Sequence, residues 1–301
     1  MQNNTLTIEQ VNAALSRKRK WEKAKKILAN AFIYFVLLLM YAPLVYITVF
    51  SFTTNKVTGV WSGFSLDNYT TLFDYEGNKI AQNIWNAARN TALVAITAAA
   101  VSTFLGTLGA IGIYYTRKKW IKNTMDFVTQ IPVVNAEIVT AVSLCVLFVI
   151  TAQFLPRSFL TLVIGHVVLS IPYVVMSVKP KLEQMDPSLY EAAMDLGATQ
   201  TQALWKVIIP DIIPGILSGF MLSITLSLDD YVITAFTKPT TGGFDTISTY
   251  VDAATKKGGL PTQLRAFTAI LFGIILVVMI IMNIKSSRNA KKNLKEKTKN
   301  A

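Results

Sequence analysis

Three carboxylic acids, Glu137, Asp229 and Asp230, interrupt stretches that are otherwise apolar or small. An ionised carboxylate in such a setting is costly unless it faces water, a partner charge or a charged ligand. Its chemistry there is electrostatic, since it can replace part of the hydration shell of a passing cation. Bond-making chemistry lacks its usual parts. The single histidine, His166, and the single cysteine, Cys145, both lie in apolar runs, so neither an intrachain disulfide nor a His and Cys metal set is available. His166 reads as a hydrogen-bonded packing group rather than a proton relay. No GxxxxGK[ST] segment occurs, which excludes the usual cradle for nucleotide phosphates. Any ATP hydrolysis belongs to another polypeptide, and no cofactor is expected in this chain.

The elements that must hold these acids follow from composition. Of 301 residues, 52% are hydrophobic and only 15% charged, the wrong balance for a soluble globule and the right one for an integral membrane protein. The 29 Lys and Arg outnumber the 17 Asp and Glu, but they sit in compact clusters between long uncharged windows, which excludes a nucleic-acid binder with a folded basic face. About 20 apolar residues cross a bilayer as a helix. Six windows qualify and predict an all-α fold: Lys26 to Lys56, Arg89 to Arg117, about Phe127 to Leu155, Arg157 to Lys179, about Asp211 to Phe236, and Arg265 to Lys285. Glu137 interrupts the third, and Asp229 and Asp230 lie near the end of the fifth. The apolar run Ile27 to Phe52 is too long for a signal peptide and is expected to remain as a helix.

Of the Lys and Arg, 21 fall on one side of this arrangement and 8 on the other, so both termini are expected in the cytoplasm. The expected organisation is a basic cytoplasmic segment 1–26, a six-helix membrane domain 27–285 and a basic tail 286–301. Arg17 to Lys20 and the Lys-rich tail suit anionic lipid, or simply solvated ends. On the outer side, Trp61, Phe64, Tyr69, Phe73, Tyr75 and Trp85 between Val57 and Arg89 read as headgroup-level anchors or a docking surface. The loop Lys238 to Leu260 reads as flexible. In the second window Ala98, Ala99, Ala100, Gly106, Gly109 and Gly112 suit close helix packing. Pro43, Pro132, Pro172 and Pro214 mark kinks or static packing features.

The cytoplasmic segment 179–210 has internal structure. Asp186 before Pro187 is a helix start, and a helix Pro187 to Leu196 follows. Gly197 supplies a left-handed stop, and Thr199 with Gln202 has the spacing of a capping box for a second helix reaching Ile209. Pro210 ends that helix or opens the next span. Two short helices joined at a glycine form a knob suited to docking into a partner.

The run Glu191, Ala192, Ala193, then Gly197 six residues after the Glu and Pro210 nineteen after it, resembles the EAA loop of inner-membrane permeases of bacterial ABC importers. Ile209 stands where that pattern has Leu, a volume-conserving change. Ser227, Leu228, Asp229, Asp230 and the closing span are similar to the second permease of spermidine and putrescine importers, and the resemblance runs through most of the chain. It implies a type I ABC importer permease fold in a bacterial cytoplasmic membrane. It also implies a coupling knob (Glu191, Ala192, Ala193, Gly197, Pro210) seated in an ATPase subunit that binds ATP and Mg. The implied partners are a second permease, a pair of ATPase subunits and an extracytoplasmic polyamine-binding protein. Glu191 either holds the loop locally or reaches the partner.

Counting helical rise places Glu137 ~15 Å into the third span, near the midplane, and Asp229 ~27 Å along the fifth, near the outer face. Acids at two depths would pass a polyamine inward without holding it; alternatively they cap broken helices or pair with a partner's cations. Asp229 and Asp230 are ~100° apart on a helix, so one of them is expected to face the path. A permease for another small solute, and a gradient-driven cation transporter or channel using Glu137 and Asp229, remain alternatives.

Overall fold

Long apolar windows with few charges should fold as helices, because backbone amides and carbonyls inside a bilayer find partners only within their own segment. The computed structural model describes residues 8–55, 57, 59–239 and 242–299, and all of the regular structure among them is helical. Segment 1–7 and the side chains of 285–301 lie outside the described residues, so the expected lipid contacts of the Lys-rich tail do too. Packing divides the chain into two compact units, each described by itself.

The first unit joins Met1–Asn78 to Leu260–Ala301. It contains α1 (Ile8–Phe50) and α2 (Asp67–Phe73) from the first segment and a long closing helix, Thr262–Lys299, from the second. Trp21–Phe50 of α1 and Thr262–Ile281 of the closing helix are long and apolar enough to cross a membrane. Apolar side chains of α1 such as Leu28, Phe32, Phe35 and Leu38 are exposed around its girth, the pattern of a helix that meets lipid or another membrane helix. After α1 the chain folds back through polar contacts: buried Asn68 donates its side-chain amide to the carbonyls of Ser51 and Thr53, each at 2.8 Å. Phe52 stacks on Phe64 at 5.3 Å and packs on Tyr69 at 5.2 Å, so part of the expected aromatic belt is internal structure of this turn.

The second unit is Lys79–Gly259. Its helices are α3 (Lys79–Tyr115), α4 (Lys119–Val134), α5 (Glu137–Ile150), α6 (Phe159–Gln184), α7 (Ser188–Asp195), α8 (Gln200–Ala203), α9 (Ile209–Asp229), α10 (Val232–Thr237) and α11 (Ile247–Lys256); the closing helix of the first unit is α12. The second expected span starts earlier than the charge count implied, because α3 carries Trp85 and Arg89 within its first turns. α3, α6 and α9 pack side by side at small residues. A Cβ at Gly106 would lie 2.7 Å from Val174 Cβ, and one at Gly219 would lie 3.2 Å from Val174 Cα. With lipid as apolar as leucine, this close fit holds the helices through dispersion.

Five helical stretches are long and apolar enough to span, and a sixth is available only if α4 and α5 are taken together. These two meet at a 102° bend. The expected continuous third span, about Phe127 to Leu155, is therefore a broken pair. Pro132 removes one backbone donor, and Asn135 and Ala136 adopt extended conformations with ψ of 145° and 130°, so the helix stops and restarts at Glu137. The expected fifth span breaks too: α9 ends at Asp229, Asp230 is extended, and α10 begins at Val232.

Candidate functional site

The two breaks meet. The side chain of Glu137, in the first turn of α5, lies beside the carboxyl group of Asp230, with Asp229 nearby. The acids therefore stand together rather than at two depths. Helical rise counted along a single axis fails once α4 and α5 turn through 102°. Among the described residues, neither Lys nor Arg forms an ion pair with any of the three. Carboxylates this close, without a resident Lys or Arg among the described residues, are relieved by a proton or by a cation from outside.

The three acids differ in setting. Glu137 and Asp229 are exposed, whereas Asp230 is only 5% exposed. Both Asp230 oxygens are occupied: Oδ1 accepts the Ile233 amide at 3.1 Å, and Oδ2 accepts the Thr234 amide at 2.8 Å and the Thr234 hydroxyl at 2.9 Å. It caps α10, satisfying amides that a helix start leaves without partners. The hydroxyl of Ser248 also donates to the Asp230 carbonyl at 2.8 Å, which ties α11 to the same break.

His166, 1% exposed on α6, sits behind this cap. Its Nδ1 is 2.8 Å from Ser227 Oγ on α9, its Nε2 is 3.0 Å from Thr234 Oγ1 on α10, and the same nitrogen is 3.6 Å from Asp230 Oδ2. These contacts are the partners that a hydrogen-bonded packing role for the ring calls for. The involvement of Ser227 and Thr234 was not anticipated. The only available signal was that a buried imidazole must find two partners.

The segment between α6 and α9 forms the second candidate site. Asp186 Oδ1 accepts the Ser188 amide at 3.0 Å, and this bond holds the exposed Asp186 carboxyl below the ordinary aspartate range. α7 then carries Glu191, Ala192 and Ala193. The Gly197 and Ala198 amides turn back onto the carbonyls of Met194 and Ala193, and Gly197 has φ of +84°, the left-handed value expected for the stop. Thr199 and Gln202 make the expected capping box, at 3.3 and 3.0 Å.

The second short helix differs from expectation. α8 is four residues long and passes through a π-helical turn, Leu204–Ile208, directly into α9. Pro210 lies in the first turn of α9, where a missing amide costs little, so it opens the span. Tyr190 packs inward against the α3, α6 and α9 core and sits 5.8 Å from Tyr115. Glu191, Ala192, Gly197 and Pro210 are exposed, and Ala193 is half-buried. Beside them Leu196 is 90% and Trp205 63% exposed, two large apolar side chains that the motif did not single out. Neither is covered by the rest of this unit.

Comparison with known proteins finds one family over the stretch that contains both segments. The profile of the binding-protein-dependent transport system inner membrane component matches residues 102–290, which include both sites. The chain is 30% identical over 262 residues to the spermidine/putrescine transport system permease protein PotC of Haemophilus influenzae, covering 87% of this chain and 97% of that one. It is also 30% identical over 261 residues to the putrescine transport system permease protein PotI of Escherichia coli, covering 85% and 90%. Among solved structures, a bacterial ABC transporter that imports the acidic polysaccharide alginate superposes with a TM-score of 0.68 at 17% identity, over 92% of this chain and 99% of that chain. A complex of the alginate transporter with its pentasaccharide-bound periplasmic protein gives 0.65 at 18% identity, over 88% and 93%. These structural likenesses concern the fold.

Proposed function

The chain belongs to the family of binding-protein-dependent transport system inner membrane components, and on that premise we propose that it is the permease subunit of an ATP-driven importer of polyamines. The observation that carries the cargo assignment is the meeting of Glu137, Asp229 and Asp230 at two helix breaks without a Lys or Arg partner among the described residues. A polyamine is a flexible cation with several ammonium groups. Moving it through a low-dielectric layer requires that its lost hydration be replaced, and exposed carboxylates replace it. The names of the PotC and PotI relatives point to the same cargo class.

Coupling runs through the segment 179–210. Glu191, Ala192, Leu196 and Trp205 are exposed, and in this reading they are the side chains that meet an ATPase subunit. Tyr190 packs the same helix onto α3, α6 and α9. A push on α7 therefore reaches the bundle through a packed side chain. Both termini and this segment lie on the cytoplasmic side of a bacterial cytoplasmic membrane in this reading, which the excess of Lys and Arg on that side supports. A second permease completes the pathway, two ATPase subunits bind ATP and Mg, and an extracytoplasmic binding protein delivers the cargo.

The test is reconstitution of the full complex in liposomes with spermidine, putrescine and a neutral sugar as cargoes. ATP-dependent uptake of a polyamine and exclusion of the sugar is the expected result. Uptake driven by an ion gradient without ATP, or preference for the sugar, contradicts the proposal.

A further inference from the structure

The hydrogen bonds around His166 admit one self-consistent direction when Asp230 is an ionised cap and the imidazole is neutral. Asp230 then accepts only, so the Thr234 hydroxyl spends its proton on Oδ2 and must receive its next hydrogen bond as an acceptor. His166 Nε2 is the group in place to give it, at 3.0 Å, so Nε2 carries the proton. Nδ1 is then a bare acceptor and takes the Ser227 hydroxyl at 2.8 Å. The chain of donors runs Ser227, His166, Thr234, Asp230, from α9 through α6 to the capped start of α10.

The backbone beside it is equally close. A Cβ at Gly165 would lie 2.8 Å from Ile233 Cγ2, and the Thr161 hydroxyl donates to the Thr237 carbonyl at 3.2 Å. α10 is thus seated along α6 at Thr161, Gly165 and His166. Because α10 begins where α9 stops, the seat determines where Asp229 and Asp230 stand relative to Glu137.

We infer that His166 is a positioning residue for the acid cluster: by donating to Thr234 it holds the Asp230 cap and the α9–α10 break, and so leaves Asp229 and Glu137 as the pair that meets a polycation. This divides the three acids into one structural anion and two that face cargo, and it rests on the proposed role of the cluster in transport.

The experiment uses the reconstituted full complex, with polyamine uptake measured per inserted complex. His166→Gln keeps an amide near the Nε2 position and can still donate to Thr234; His166→Asn reaches only the Nδ1 position, and His166→Leu reaches neither. The expected result is uptake within about threefold of the unmodified rate for His166→Gln, and a loss of about tenfold or more for His166→Asn and His166→Leu. Combining His166→Leu with Thr234→Val should be no slower than the slower single variant, because both break one chain.

Equal uptake by all three His166 variants, multiplicative loss in the double variant, or failure of all three to enter the membrane would overturn the inference and leave His166 as packing. Glu137→Gln in parallel separates the two claims. If it is slow while the His166 variants run normally, only this inference falls; if it, Asp229→Asn and their combination all transport at the unmodified rate, the cargo role of the cluster falls and this inference with it.

Discussion

Lys179 Nζ stands 2.7 Å from Asp126 Oδ1, joining the end of α6 that leads into α7 to the helix that ends at the α4–α5 bend. Lys179 also lies 3.8 Å from Glu183. The pair connects the segment proposed to meet the ATPase with the helix whose far end leads to Glu137. Both side chains are partly exposed, so its contribution is that of a screened ion pair, about 0.5–1 kcal/mol. A double-mutant cycle with Lys179→Met and Asp126→Asn, read by thermal unfolding in detergent, should return a coupling of that size. Strict additivity would remove the contact.

Gly197 has open space where a Cβ would stand, so substitution there is resisted by conformation alone. Gly197→Val should cost about 1–3 kcal/mol locally, and Gly197→Asn, which tolerates the left-handed region, clearly less. ATPase co-purification and cargo-stimulated hydrolysis should fall in that order while membrane insertion is unchanged. Equal and normal values for both variants would take the α7–α8 joint out of the coupling pathway.

The small residues of α3 are not equivalent. A Cβ at Gly106 meets Val174 at 2.7 Å, at Gly109 only Val175 at 3.9 Å, and at Gly112 nothing within 4 Å. Gly106→Ala should lower stability by about 1–3 kcal/mol through overpacking, whereas Gly109→Ala and Gly112→Ala should be neutral or slightly stabilising. Unfolding of the three purified variants decides the matter; three equal values would argue against the packed α3–α6 contact.

Neutral isosteres separate the acids. An Asn at 230 offers one acceptor oxygen where Asp230 receives three donors on two oxygens, so Asp230→Asn should leave donors unpaired and lower stability by about 1–3 kcal/mol. Asp229→Asn and Glu137→Gln should accumulate normally, because both side chains are exposed. Membrane abundance of the three variants is the readout. Normal accumulation and thermal stability of Asp230→Asn would show that the cap is dispensable.

What could be read from sequence alone was local. The Asp186 cap, the left-handed Gly197 and the Thr199 and Gln202 box each involve residues within a few positions, where capping and glycine rules act directly. Charge spacing located five windows that overlap helices long and apolar enough to span, but not their limits. The α4–α5 bend was only half legible, because Pro132 marks a kink or a static packing feature without deciding which, and no glycine stands at Asn135 or Ala136 to mark the stop. The meeting of Glu137 with Asp230 depends on that bend, so helical rise along one straight axis sets Glu137 apart from the two aspartates it stands beside. His166 shows the same limit: its partners lie 61 and 68 residues away, and burial dictated only that it must have some.

The most direct test of the account is the rate of ATP-dependent spermidine and putrescine uptake by the reconstituted complex carrying Glu137→Gln and Asp229→Asn, singly and together. A carboxylate and an ammonium at ~4 Å in a medium of effective dielectric ~20 attract by about 4 kcal/mol before desolvation is subtracted. At least one single variant should therefore slow uptake about tenfold or more, with assembly and basal ATP hydrolysis retained. Unmodified uptake by both single variants and the double variant would contradict the central claim that these acids carry a polycation through the membrane.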